Sequence, residues 1–285
     1  MPTETVYGLA ADAANARAVA SVYEAKGRPS FNPLIAHVSD LAMARQIARF
    51  DDRAERLAQA FWPGALTLVL PIADADAVCD LARAGLDTVA VRVPAHPVAR
   101  ALITAFGGPV VAPSANRSGR PSPTRHGDAV EETGFATAAA LDGGPCEIGL
   151  ESTVVALLDA PRLLRPGSVT RAEIEALIGP LAEAEDDARR SPGRLTRHYA
   201  PSASVRLEVT EVRPGEAWLS FGPDGSGPWN LSPDGDLTEA AANLFAFLRA
   251  ADRTAPTAIA IAPIPMEGLG EAINDRLRRA AGFIG

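Results

Sequence analysis

Through residue 180 the chain alternates short apolar runs of β-type residues with segments of helical period, and this alternation restricts it to an α/β architecture. The β-type runs lie at 34–38, 66–70, 88–93, 109–112, 137–141, 152–158 and 162–165. Between them, helical spacing predicts helices at 16–25, 40–48, 51–61, 96–106, 125–132 and on to 178. Asn15 is placed to cap the first helix, and Gly27 with Pro29 to end it, so that Lys26 and Arg28 project from a helix-to-loop corner. The strand at 34–38 puts His37 near its end, and the strand at 88–93 does the same for Arg92. Periodicity does not reveal the order of the strands. Beyond 180, residues 183–190 are charged and poor in apolar side chains, and Ser191-Pro192-Gly193 marks a linker. A second unit follows, with strands at 205–209, 217–221 and 258–262 and helices at 237–250 and from 270. The expected organisation is a catalytic-sized domain over 1–182, a linker over 183–202 and a smaller α/β, Rossmann-like domain over 203–285.

The composition is 47% hydrophobic and 22% charged, which is that of a folded globular chain. No apolar run reaches the roughly 18 residues that a bilayer crossing needs, and no leader precedes the first motif, so a soluble, cytoplasmic protein is expected. Cys79 and Cys146 are far apart and lack CxxC spacing, which points to neither a disulfide framework nor a zinc site. A net charge of −8 and a pI of about 5.1 count against a stand-alone nucleic-acid binder, whose affinity would come from Lys and Arg on phosphate. Lys26 is the only lysine in the chain; every other strongly basic residue is arginine. A compact ammonium at that one place, beside Arg28, suggests a site that needs it.

Four polar segments stand where such a site would be built. The first is Pro113-Ser114-Ala115-Asn116-Arg117-Ser118-Gly119-Arg120-Pro121-Ser122-Pro123-Thr124, a stiff, hydroxyl- and arginine-rich loop directly after a strand, where open α/β sheets meet anionic ligands. The others are Pro2-Thr3-Glu4-Thr5-Val6-Tyr7-Gly8, Lys26-Gly27-Arg28-Pro29 with Asn32-Pro33, and Glu151-Ser152-Thr153. No Walker loop, Rossmann glycine fingerprint, nucleophile elbow or HExxH motif is present, so a nucleotide would be held by scattered side chains and loop amides. By residue type alone, His37 also suits a structural histidine, Thr88 a strand start, Thr124 a helix cap and Arg165 a turn. Glu4 and Glu151 suit a metal, a base or a cap equally well.

Together with Trp62-Pro63-Gly64, Val91-Arg92-Val93-Pro94, Leu164-Arg165-Pro166-Gly167 and Arg197-His198-Tyr199-Ala200-Pro201, these segments resemble the YrdC-like L-threonylcarbamoyl-adenylate synthases in their long, two-domain form. Ala65 and Leu150 replace a usual proline and isoleucine. In the family a strand and a helix come before the first motif, so the chain as written is expected to be shortened, leaving a sheet edge or core position uncovered. The resemblance implies a twisted, open, mixed sheet with helices, and a reaction joining L-threonine, bicarbonate and ATP, with Mg²⁺ accompanying ATP. It implies that Thr5, His37, Arg92, Ser114 and Ser152 hold L-threonine. Arg28, Asn32, Thr88, Asn116, Thr124, Arg165 and Tyr199 would bind ATP, with Lys26 and Arg28 at the reacting groups. Tyr199 would act through a linker folding over the site as a lid. Downstream threonylcarbamoyl-transfer proteins acting on tRNA would be the partners, with direct tRNA binding weak or absent. The alternative reading is a non-catalytic RNA- or nucleotide-binding module on the same fold. A carbamoyl-transfer maturation factor would carry zinc-finger and acylphosphatase-like segments, which are not seen.

Overall fold

The computed structural model describes residues 1–182 and 198–282. The linker motif Ser191-Pro192-Gly193 and Arg197 lie outside them. The chain first forms β1 (Ala11–Asp12), α1 (Ala16–Lys26), β2 (Ile35–His37), α2 (Leu41–Ile47) and α3 (Asp52–Phe61). Next come β3 (Leu66–Pro71), α4 (Asp80–Arg83), β4 (Thr88–Arg92), α5 (Pro97–Phe106), β5 (Val110–Val111) and α6 (His126–Thr133). The first unit closes with β6 (Thr153–Leu157), β7 (Pro161–Arg165) and α7 (Arg171–Ile178). Local chemistry sets several of these boundaries. Asn15 Oδ1 accepts from the amides of Arg17 and Ala18, Gly27 ends α1 at φ 59°, and Thr170 with Glu173 makes a capping box on α7.

The seven strands form one mixed sheet in the order β1-β5-β2-β4-β3-β6-β7. β2 runs parallel to β4, and β3 parallel to β6; β1 with β5, β5 with β2, β3 with β4, and β6 with β7 are antiparallel. The register sets His37 beside Arg92 and Leu66 beside Thr153, while Arg165 pairs with Val154. One edge of the sheet therefore gathers the carboxyl ends of β2, β4 and β7 and the amino end of β6. Because β5 is antiparallel to β2, the loop that follows it leaves beside Ile35, not beside His37, and Ser114 bridges to Gly8. The expected position beyond parallel strand ends is thus met by His37, Arg92 and Arg165, whereas the loop approaches from the other end of β2.

Residues 137–141 do not form the expected strand. After a short 3-10 turn at Gly134–Ala136 they run irregularly and mostly exposed, and they pair with no strand of the sheet. They line an apolar cleft of about 580 Å³ together with β1 and the faces of α1, α5 and α6.

The second unit contains β8 (Ser204–Arg206), β9 (Ala217–Ser220), β10 (Trp229–Asn230), α8 (Leu237–Asp252), β11 (Ala258–Ile261) and α9 (Leu269–Ala281). Its four strands are all parallel, in the order β10-β9-β11-β8. The core of this unit reaches into the first: Val6, Leu150 and Tyr199 pack with Leu244, Phe245 and Ile273. Gly149, at φ 74°, permits the approach, since a Cβ there would stand 2.5 Å from the Ala241 carbonyl oxygen and from the Ala242 Cα of α8. No helix among the described residues is long and apolar enough to cross a membrane.

Candidate active site

Most of the polar segments converge on one small cavity. Thr5, Arg28, His37, Arg92, Ser114, Ser152, Arg165 and Tyr199 all line it, with Glu151 and His198. The space inside is about 50 Å³, enough for a few water molecules. The apolar cleft near 137–141 is larger, but it has none of these cations, which makes the smaller cavity the candidate site.

Arg92 comes off the end of β4 and is buried. Its Nε donates to the Gly64 carbonyl at 3.1 Å, Nη1 to Thr5 Oγ1 at 2.9 Å and Nη2 to Glu4 Oε1 at 2.5 Å. One N–H remains on each terminal nitrogen, a fork suited to a carboxylate. Glu4 is itself fixed, its Oε2 accepting from the amides of Ala95 at 3.0 Å and His96 at 3.2 Å. Burial works against its charge, but Arg92 and these hydrogen bonds prevail and hold its pKa below the ordinary value. Glu4 thus orients an arginine. His37, on the adjacent strand, has Nδ1 3.1 Å from the Ile35 carbonyl. With that nitrogen donating, Nε2 is left as an acceptor. Burial, then the nearby Arg92, pushes the pKa of His37 down to about 3, so the ring is neutral at neutral pH.

At the other side of the cavity, Arg165 donates from Nε to the Ser152 carbonyl and from Nη2 to Ser152 Oγ, both at 3.0 Å, and Ser152 Oγ lies 2.7 Å from Thr67 Oγ1. Arg28 donates to the Pro33 carbonyl at 3.4 Å, and its Nε is buried without a partner. Burial lowers the pKa of both arginines. Neither makes an ion pair with a carboxylate among the described residues. His198 Nδ1, in the lining, is likewise buried and unpartnered, as are Asn32 Nδ2 and Asn116 Oδ1, which are not part of the lining. Such atoms are costly unless a ligand or water completes them.

Lys26 stands behind the cavity. Its buried ammonium donates to the carbonyl of Ser114 and, at 2.5 Å, to that of Asn116, while its own carbonyl accepts from the Ser118 amide at 2.7 Å. Burial and then Arg28 hold its pKa well below the ordinary lysine value, against the pull of Glu132 and Glu151. In this structure the sole lysine shapes the loop. Thr124 is buried, with its carbonyl accepting from the Cys146 amide at 2.9 Å, and does not line the cavity. Thr88 is not brought to the site. It opens β4 opposite Pro71, four residues and so about 13 Å from Arg92, because a strand carries its first and last residues to opposite sheet edges.

Three groups that matter here were not singled out from sequence as site residues. Ser122 Oγ donates to Glu151 Oε1, and Arg276 of α9 donates to Glu151 Oε2 at 2.9 Å. His198 stacks edge-on against Tyr199, with ring centroids 4.0 Å apart. Ser122 and His198 stood inside quoted motifs, but Arg276 lies in an ordinary amphipathic helix and carried no local signal. Glu4 and Glu151 are each committed to an arginine, and no cluster of three or more His, Cys, Asp or Glu side chains among the described residues could hold a metal ion.

A family model named for Sua5, YciO and YrdC and described as "Telomere recombination" matches residues 1–167. A second, "Threonylcarbamoyl-AMP synthase, C-terminal domain", matches 169–282. The chain belongs to the Sua5/YciO/YrdC family, in its two-domain form. It is 40% identical to a threonylcarbamoyl-AMP synthase of Bacillus subtilis and 42% identical to one of Pyrococcus abyssi, covering 99% of this chain in each case and 88% and 89% of those proteins. The crystal structure of P. abyssi Sua5 complexed with L-threonine superposes with a TM-score of 0.89 at 40% identity, covering 99% of this chain and 89% of that one. Both domains of this family member therefore have the fold expected from its motifs.

Proposed function

We infer that the chain is a nucleotidyltransferase that makes L-threonylcarbamoyl-AMP and pyrophosphate from L-threonine, bicarbonate and ATP, the first step of threonylcarbamoyladenosine formation in tRNA. The observation that carries this reading is the charge arrangement of the cavity. Arg92 is fixed by a carboxylate with two N–H groups to spare, while Arg28 and Arg165 are buried cations with no carboxylate partner among the described residues. That is a receptor for one amino-acid carboxylate and, beside it, a polyphosphate.

In this reading L-threonine lies against Thr5, His37, Arg92, Ser114 and Ser152. Arg92 meets its carboxylate, and neutral His37 accepts from its amine through Nε2. The amine bonds to the carbon of bicarbonate, water leaves and a carbamate forms. A carbamate oxygen then attacks the α-phosphorus of ATP, the bond to the β-phosphate oxygen breaks, and pyrophosphate departs. Arg28 and Arg165 stabilise the charge that moves onto the phosphates, while Asn32, Asn116 and Tyr199 surround the nucleotide. Lys26 acts as a clamp that holds the Ser114 and Asn116 carbonyls, and Thr124 stiffens the end of the same loop. Mg²⁺ would arrive with the triphosphate. The cavity is too small for ATP as it stands, so the 198–200 segment would swing away to admit it and return to exclude water from the mixed anhydride. The product would pass in the cytoplasm to the proteins that transfer the threonylcarbamoyl group to tRNA.

The test is pyrophosphate release by the purified chain with L-threonine and bicarbonate each present or omitted. Release that needs both, and that falls at least about a hundredfold in Lys26→Ala, is the expected result. ATP binding by calorimetry without release under any condition would leave the chain a nucleotide-binding module.

A further inference from the structure

The second domain reaches the site through one buried cation. Arg276 is fully buried on α9; its Nε donates to Glu151 Oε2 at 2.9 Å and its Nη1 to Asp275 at 2.6 Å. Its guanidinium carbon lies 5.3 Å from the centre of the Tyr199 ring. Ser122, at the end of the 113–124 loop, takes the other Glu151 oxygen. One carboxylate thus ties together the loop, the 150–152 segment and α9, with the Tyr199 ring stacked on the cation that secures it.

The charges around the cavity explain why this matters. Glu4, outside the lining, is compensated by Arg92, and Glu151 is a carboxylate that lines the space itself. Burial disfavours its charge, and Arg276 first, then Arg165, outweigh that effect. Arg165 is already held at Ser152, the residue next to Glu151. If Arg276 were removed, the buried carboxylate would take up a proton or draw in the guanidinium of Arg165, whose charge already acts on it. An arginine whose fork is engaged by a carboxylate cannot present it to a phosphate.

We propose that Arg276 is a positioning residue: by satisfying Glu151 it keeps Arg165 available to the nucleotide, so docking of the C-terminal domain sets the affinity of the site for ATP. The inference rests on the reading of this cavity as the ATP site. It gives the C-terminal domain a role in the reaction through an ion pair, without any ligand of its own.

Arg276→Met, Arg276→Lys and the double variant Arg276→Met/Glu151→Gln would be compared with wild type in ATP binding by calorimetry and in the KM values for ATP and L-threonine. Arg276→Met is expected to weaken ATP binding about tenfold or more while leaving the KM for L-threonine within about twofold, since Arg92 answers to Glu4. Arg276→Lys should lie between. The double variant, in which a neutral amide no longer attracts Arg165, should recover ATP affinity to within about threefold of wild type. ATP affinity unchanged in Arg276→Met, or equally poor in the single and double variants, would overturn the proposal, the second outcome marking Arg276 as structural only. Should Arg276→Met fail to fold by circular dichroism, Arg276→Gln with and without Glu151→Gln carries the same comparison. A wild type that binds ATP but releases no pyrophosphate refutes the synthase reading and leaves the binding comparison to decide on Arg276. A wild type that binds no ATP overturns both.

Discussion

His37 is neutral because the structure makes it so. Its ring is buried beside a cation, and protonation would put two positive charges side by side in a dry space. The linkage has a definite sign. The folded pKa of about 3 lies below the unfolded value near 6.5, so the unfolded chain binds more protons between them. Stability is complete above pH 6.5 and declines as the pH falls through that window. His37 alone should remove about 2 kcal/mol between pH 7.5 and pH 5, where the carboxylates held below their ordinary values, Glu4 and Glu151, do not yet titrate. His198, also held well below its ordinary value, adds in the same direction. Urea titrations at the two pH values check this: His37→Asn should show the smaller loss, and equal losses in variant and wild type would count against it. At this scale the sequence was informative about residue type but not about partnership. Thr5, His37, Arg92 and Arg165 could be picked out as candidates, Thr5 from a polar motif and the other three as lone polar residues at strand ends, and all four line the cavity. That Glu4 serves Arg92, and that Lys26 serves a loop, depends on contacts between residues 88 and 90 positions apart, respectively.

Among the elements, the strands and helices that carry a strong pattern appear where periodicity puts them. β3 and β4 are buried along nearly their whole length, and Asp40, Asp51 and His96 cap α2, α3 and α5. The exceptions have physical causes. Residues 137–141 read as a strand because they are apolar, but apolar character alone does not select a strand, and here the run pairs with none and lines the apolar cleft beside β1. β1 and β10 are two residues long and exist only through their partners, Val110–Val111 and Leu219–Ser220, which no local pattern discloses. The positive φ of Gly149 and its contact with α8 belong to the same class. Gly149→Ala would combine a strained backbone with a methyl group pressed on the α8 main chain. It should cost at least about 2 kcal/mol in a denaturant midpoint, whereas Gly27→Ala, with nothing near its Cβ, should cost only about 1 kcal/mol for its positive φ.

For the molecule as a whole, the two units share more than a tether. Tyr199 sits in the core of the C-terminal unit, at a left-handed φ of 60°, while lining the cavity of the first. Packing against Phe245 and Arg276 holds this backbone in a conformation that costs roughly 1–3 kcal/mol. Tyr199→Ala should leave the chain folded but let water reach the adenylate: the ratio of L-threonylcarbamoyl-AMP to pyrophosphate, near one in wild type, should drop about tenfold when followed by rapid-quench chromatography. A ratio unchanged by the substitution would mean that the segment does not seal the site. The division into two α/β units could be read along the chain, but the direction of control between them could not, because Arg276 is one arginine among many until its neighbours are known. The scarcity of lysine has a further consequence of a different kind. With one ε-amine in the whole chain, shut behind the 113–124 loop and depressed in basicity, an amine-directed acylating reagent has no other side chain of that type to modify. The rate at which a single acyl mass appears at Lys26 is therefore a built-in clock for how often the loop lifts away from it.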